Sequence, residues 1–75
     1  MSDLDLADLG AFAAVARQRS FRGAAAVRGV SPSALSEAVR RLETRLGLRL
    51  LNRTTRSVTP TEAGTRLLER LVPAL

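Results

Sequence analysis

A short turn between two helical patterns constrains this chain more than any other feature of its sequence. Gly29 is suited to ending a helix, because glycine takes a positive φ at little cost. Ser31 and Pro32 suit a helix start: Ser caps free backbone N–H groups, and Pro gives up only an N–H that this position leaves unbonded. The turn joins predicted helices at residues 21–28 and 32–46, which is the arrangement of a helix-turn-helix.

The helix after the turn has two different faces. At about 100° per residue, its large apolar residues cluster on one side, which we expect to be buried. The opposite side is polar, and its N-terminal end carries short side chains, where a merely solvated face would more often carry long charged ones. The apolar face comprises Leu35, Val39, Leu42 and Leu46, and the polar face comprises Ser33, Ser36, Glu37, Arg40 and Thr44.

Two further helices are predicted ahead of the turn. In the first, at residues 4–18, apolar residues recur at steps of three and four, and acids occupy the first turns, where the helix dipole favours them. The second has Ser20 as its predicted N-cap and small residues at 23–26, which let another helix approach closely. The stripe of the first helix is Leu6, Leu9, Phe12, Ala13 and Ala16, and its acids are Asp3, Asp5 and Asp8.

Residues 48–59 alternate as in a short β hairpin, which would form a small two-stranded wing. The tip at residues 52–57 is polar, basic and free of Gly, so a tight two-residue turn is not expected. The predicted inward positions are Leu48, Leu50 and Val58, and the outward ones include Arg49 and Arg53.

A fourth helix follows the wing. Thr59 with Glu62 fits a capping box, and Thr61 is a competing N-cap that the sequence does not separate from it. Pro73 disturbs this helix near its end. Its apolar residues again follow helical spacing, at Leu68, Leu71, Val72 and Leu75.

Positive charge is concentrated in the middle of the chain. Residues 17–58 hold ten Arg against two Glu, a net charge of +8, whereas the whole 75-residue chain carries +5. Every base is Arg, whose planar fork matches phosphate groups and guanine edges. A solvated basic surface is the alternative interpretation of the charge taken alone.

The absence of two residue types excludes several classes of function. The chain has no Cys and no His, which removes thiolate nucleophiles, disulfides, most zinc sites and the usual general base. We therefore expect no enzyme, no catalytic residue, no metal and no cofactor. No apolar run approaches the length of a membrane span, and the acidic start lacks the basic residues of a signal peptide, so we expect no membrane partner.

The whole chain resembles the N-terminal DNA-binding domain of a LysR-type transcriptional regulator. The resemblance is carried by "LADLGAFAAVARQRSFRGAAA" and by the order "SALSEAVRRLE", "LG", "RTTR" and "TEAG". It implies a mainly α fold, a winged helix-turn-helix at residues 1–59 with a three-helix core and a two-stranded wing. Residues 60–75 would begin a linker helix, followed by an effector-binding domain that is absent from this chain.

The resemblance also implies partners and a location. Such regulators bind double-stranded DNA, here expected to be an imperfect palindrome, as homodimers or tetramers in the bacterial cytoplasm at the nucleoid. A small-molecule effector would act only through the missing domain. The alternative is a winged-helix module that binds other proteins and not specific DNA. The resemblance departs at Arg28, where a Leu is usual, at Pro32, where a Gln is common, and at Glu37, where a basic or amide residue is common.

Two sets of site residues are predicted. DNA contacts are expected from the front of the third helix and from the wing tip, and a solvated surface is the alternative for both. Glu37 either accepts from a base or gives selectivity by repelling phosphate. Arg41 lies to the side, and an ion pair with a neighbouring acid is its alternative. The apolar seam of the fourth helix is expected to form a dimer surface, with core packing as the alternative. Phe12, Leu9, Leu35 and Leu42 are expected to be core only. The DNA contacts are Ser31, Pro32, Ser33, Ser36, Glu37, Arg40, Arg41, Arg53, Thr54, Thr55 and Arg56, and the dimer residues are Leu67, Leu68, Leu71, Val72 and Leu75.

Overall fold

The structure, a computed structural model, describes residues 6–54 and 57–71. The predictions for Thr55, Arg56, Val72 and Leu75, and those for residues 3–5, lie outside the described residues. The order of elements is a three-helix unit, an antiparallel hairpin and a final helix, which confirms the mainly α winged helix-turn-helix fold. The elements are α1 (Leu6–Gln18), α2 (Phe21–Arg28), α3 (Pro32–Leu46), β1 (Leu51–Arg53), β2 (Val58–Pro60) and α4 (Glu62–Leu71).

A single apolar core joins the first three helices to the hairpin. Phe12 and Val15 of α1 pack with Val39 and Leu42 of α3, and none of the four is accessible to solvent. Each such side chain contributes about 1.5–3 kcal/mol to folding when it is fully buried. The core roles predicted for Phe12, Leu35 and Leu42 are confirmed by their burial, and Leu9 is partly buried against the same cluster.

The predicted helix ends are confirmed atom by atom. The Ser20 Oγ accepts a hydrogen bond from the backbone N–H of Gly23 at 3.0 Å, and the Ser31 Oγ accepts one from the N–H of Ala34 at 3.1 Å. Gly29 follows α2 with a φ of 70°, in the left-handed region where a residue with a side chain would be strained. The turn between α2 and α3 is therefore set by local chemistry on both of its sides.

Two predicted inward positions are wrong. Leu6 is 77% exposed, because it lies about 120° around α1 from Phe12 and at the first described turn of the helix. Leu48 is 52% exposed, because it lies in the link after α3 and β1 begins only at Leu51. The alternating pattern in the sequence therefore begins before the strand does. Leu50 and Val58 are buried, as predicted.

The hairpin is short, and its register places Asn52 opposite Thr59 and Arg53 opposite Val58. At the tip, the backbone N–H of Thr54 donates to the carbonyl oxygen of Ser57 at 2.9 Å. The Ser57 N–H in turn donates to the Thr54 Oγ1 at 2.9 Å. Main-chain and side-chain hydrogen bonds of the two flanking residues therefore close the turn.

Thr61, and not Thr59, caps α4. The Thr61 Oγ1 accepts from the backbone N–H of Gly64 at 3.0 Å, whereas Thr59 lies within β2. The same hydroxyl donates to the carbonyl oxygen of Arg49 at 2.6 Å, and the Thr61 N–H donates to the carbonyl oxygen of Leu50 at 2.9 Å. One residue thus starts the helix and ties it to the segment before β1. Among the described residues, no helix has the length and apolar character needed to cross a membrane.

Candidate nucleic-acid interface

The N-terminal end of α3 is open to solvent and carries small side chains. Ser31, Pro32 and Ser33 are all exposed, and the Ser31 hydroxyl caps its own helix. Further along the same face, Glu37 and Arg40 are exposed. The first turn of a helix also has N–H groups without intrahelical partners and a positive dipole end, both of which favour an anion. The front of α3 can therefore approach a polyanion closely.

The wing is fastened to α3 through Arg53. Its Nη1 donates to the Ser36 Oγ at 2.9 Å, and its guanidinium carbon lies 4.6 Å from the centroid of the Phe21 ring. A hydroxyl hydrogen bond and a cation–π contact, the latter worth about 0.5–1 kcal/mol at an exposed site, thus fix one exposed arginine between the wing and two helices. Ser36 is half-buried, and this contact brings together two predicted DNA contacts, Ser36 and Arg53.

Arg41 forms an ion pair with α1, which confirms the alternative that it pairs with an acid. Its Nε and Nη2 donate to the two carboxylate oxygens of Asp8, at 3.2 and 2.9 Å. Asp8 is 3% exposed, whereas the Arg41 side chain is 57% exposed. Such a two-pronged contact fixes the position of α3 against α1. DNA contact by Arg41 stays a prediction.

Glu43 has a structural role that the sequence reasoning missed. Its Oε2 accepts hydrogen bonds from the backbone N–H groups of Leu50 and Leu51, at 2.8 and 3.3 Å. The carboxylate therefore holds the chain that leads from α3 into β1. The sequence does contain a sign of this role. An acid in the last turns of a helix is disfavoured by the helix dipole, which indicates a compensating partner for Glu43. That these partners are the N–H groups of Leu50 and Leu51 could not be predicted from the dipole argument.

The seam on α4 is divided between the domain's own core and solvent. Leu67, Leu68 and Leu71 are partly buried, and all three pack against the core cluster. Core packing therefore accounts for part of the seam, and the dimer surface stays a prediction.

Arg28 is exposed, and its guanidinium lies over Gly10 of α1, where an added Cβ would meet Nη1 at 3.5 Å.

Comparisons with known proteins place the chain in one family. The family of bacterial regulatory helix-turn-helix proteins called lysR matches residues 6–65. The HTH-type transcriptional regulator PgrR of Escherichia coli is 62% identical over 71 residues, which are 95% of this chain and 24% of PgrR. PtxR of Pseudomonas aeruginosa, another HTH-type transcriptional regulator, is 52% identical over 64 residues, which are 85% of this chain and 20% of PtxR. The chain thus spans about a quarter or less of the length of these relatives.

Solved structures agree with the family. The complex of BenM_DBD with catB site 1 DNA superposes with a TM-score of 0.90 at 31% identity, covering 95% of this chain and 79% of that one. The oxidized form of Corynebacterium glutamicum OxyR superposes with a TM-score of 0.91 at 37% identity, covering 97% of this chain and 24% of that one. The fold described above is therefore shared with these solved structures.

Proposed function

Because this chain belongs to the lysR family of bacterial regulatory helix-turn-helix proteins, we propose that it binds double-stranded DNA sequence-specifically and regulates transcription. In this proposal α3 enters the major groove with its N-terminal residues at the base edges, and the wing reaches the neighbouring minor groove or backbone. A homodimer held through the apolar seam of the C-terminal helix would place one α3 in each half of an imperfect palindrome. The solved complex of the similar BenM_DBD with DNA supports the first part of the proposal.

One observation carries the proposal most: the exposed, small and polar front of α3 lies beside an arginine-bearing wing. The major groove admits an α-helix, and short side chains at its leading end let the backbone approach closely. Ser33 offers a short hydroxyl there, and Arg40, about two turns further, has the reach for a phosphate or a guanine edge. Arg53 joins the two elements into one surface, so they would bind together.

Affinity and selectivity would come from different residues. Arg–phosphate contacts release counterions from DNA and supply most of the affinity without reading the sequence. Ser33, Glu37 and Arg40 would supply selectivity, and Glu37 has the chemistry to accept a hydrogen bond from the amino group of cytosine. Pro32 leaves no amide side chain at its position, so base recognition has to rest on the residues that follow it.

Selection from a random-sequence duplex library tests both the sequence-specific DNA binding and the homodimer. The 75-residue chain should enrich a defined sequence, with two related half-sites about one helical turn apart if the dimer is correct. Enrichment of a single half-site would refute the dimer and leave the DNA-binding function intact. No enrichment, together with no salt-dependent binding to any duplex, would refute the function and favour the protein-binding alternative.

A further inference from the structure

Three arginines from α3, from the link before β1 and from β1 line one groove. Arg40 comes from α3, Arg49 from the link before β1 and Arg53 from β1, and the groove also contacts Glu43 and Leu51. The groove has a volume of about 250 Å³. It is a polar, cationic recess, and it lies between the two elements proposed to enter DNA.

The charges in this groove favour an anion. Arginine stays protonated in proteins, so three positive charges face one carboxylate. The Glu43 carboxylate accepts from two backbone N–H groups, which direct one of its oxygens toward the chain and not toward the arginines. Within residues 6–54 and 57–71, neither Arg40 nor Arg49 forms an ion pair. Two guanidinium groups are thus available to a ligand.

The backbone around the groove is held before any ligand arrives. The carbonyl oxygen of Arg49 accepts from the Thr61 hydroxyl, and the next N–H, that of Leu50, donates to Glu43. Arg53 is fixed by Ser36 and by the Phe21 ring. Less conformational freedom is therefore lost when an anion binds, which favours affinity.

The position of the groove points to the identity of the anion. A protein that places a helix in the major groove and a wing in the adjacent minor groove must straddle the sugar–phosphate strand that separates these grooves. The surface between helix and wing then faces phosphodiester groups. We propose that this groove binds a backbone phosphate of DNA, and that Arg49, which lies outside the predicted DNA contacts, is one of its ligands. This inference rests on the proposed function.

Arg49→Gln tests the inference, with Arg17→Gln as the matched control. Both changes remove one positive charge from an exposed arginine, but Arg17 lies in the last turn of α1 and outside this groove. Binding of each 75-residue variant to a random-sequence duplex is measured by fluorescence anisotropy between about 50 and 200 mM salt. Arg49→Gln should weaken binding about tenfold at the lowest salt and reduce the log K against log salt slope by about 1.

A second variant separates charge from geometry. Arg49→Lys keeps the charge but loses the planar fork, so its slope should stay near that of the unchanged chain while its affinity falls by less than that of Arg49→Gln. Circular dichroism confirms that each variant is folded. If Arg49→Gln and Arg17→Gln change the slope equally, the phosphate groove is wrong and the DNA-binding function stands. If the unchanged chain shows no salt-dependent binding, the proposed function itself fails.

Discussion

At the scale of single residues, Asp8 and Arg41 form one ion pair but differ strongly in their exposure to solvent. The Asp8 carboxylate is almost completely removed from solvent, whereas more than half of the Arg41 side chain remains exposed. Leaving a buried charge without its partner costs much more than leaving a solvated one. The two residues are therefore expected to differ in what their removal does, although they share the same hydrogen bonds.

Arg41→Ala is predicted to lower the free energy of unfolding by about 3 kcal/mol, because it leaves the Asp8 carboxylate buried without its ion-pair partner. Asp8→Asn should cost less, about 1–2 kcal/mol, since the Arg41 head can turn to water. Urea unfolding followed by circular dichroism measures both. Equal losses, or a larger loss for Asp8→Asn, would contradict the assignment of the carboxylate as the buried partner.

Arg40 is predicted to contact DNA directly. Arg40→Ala should weaken binding to the selected sequence by about 1–3 kcal/mol while the free energy of unfolding stays within about 0.5 kcal/mol, because the side chain is exposed. Isothermal titration calorimetry with the selected duplex gives the first quantity. Arg17→Ala is the control of matched charge, and a loss no greater than that control would remove Arg40 from the interface.

The residue scale also shows where sequence reasoning stops. Ser20 and Ser31 were identified as caps because their partners lie three residues away, and such local chemistry is visible in the sequence. Asp8 and Arg41 are 33 residues apart, so their pairing depends on how α1 and α3 cross. The position of Asp8 in the first turns of α1 is explained by the helix dipole alone. Its burial could not be predicted from the sequence.

At the scale of elements, α4 lies very close to the chain that precedes the wing. A Cβ added to Gly64 would overlap the carbonyl oxygen of Leu50, a backbone atom that cannot move without disturbing β1. Thr61 binds the same segment through its hydroxyl and its N–H. The start of α4 is therefore anchored to the segment that leads into the wing.

Gly64→Ala is predicted to destabilise the domain by about 1–3 kcal/mol through this overlap, although alanine favours a helix over glycine. Gly10→Ala is the matched control, because Gly10 is also within a helix and its added Cβ would make only ordinary contact with Arg28. That variant should be neutral or more stable by up to about 1 kcal/mol. Thermal unfolding of the two variants gives the comparison, and a stabilised Gly64→Ala would show that α4 is not held against Leu50.

The helices could be predicted from the sequence better than the strands. The bounds of α2 and the start of α3 could be predicted closely, because Ser20, Gly29 and Ser31 all act on neighbouring backbone groups. The presence of the wing could be predicted but its extent could not, because the alternating pattern includes Leu48 and does not separate Thr61 from Thr59 as the cap. Strand pairing is a contact between segments, and three-residue strands carry too little pattern to define their ends.

At the scale of the whole molecule, the charge distribution predicts a strong dependence of binding on salt. If Arg40, Arg49 and Arg53 each neutralise one phosphate, the slope of log K against log salt should be about −2.7 or steeper for each protomer. Anisotropy titrations of a duplex at several salt concentrations measure it. A slope near zero would mean that the middle of the chain carries its positive charge for a reason other than DNA.

The surface on which the whole account depends can be observed directly by nuclear magnetic resonance. Backbone amide signals of the 75-residue chain are followed while the selected duplex is added. The account predicts that the largest changes occur at residues 31–40 of α3 and at residues 49–54 before and within the wing, with small changes at residues 11–17 of α1. Changes concentrated on α1 or α4, with the front of α3 unaffected, would contradict it.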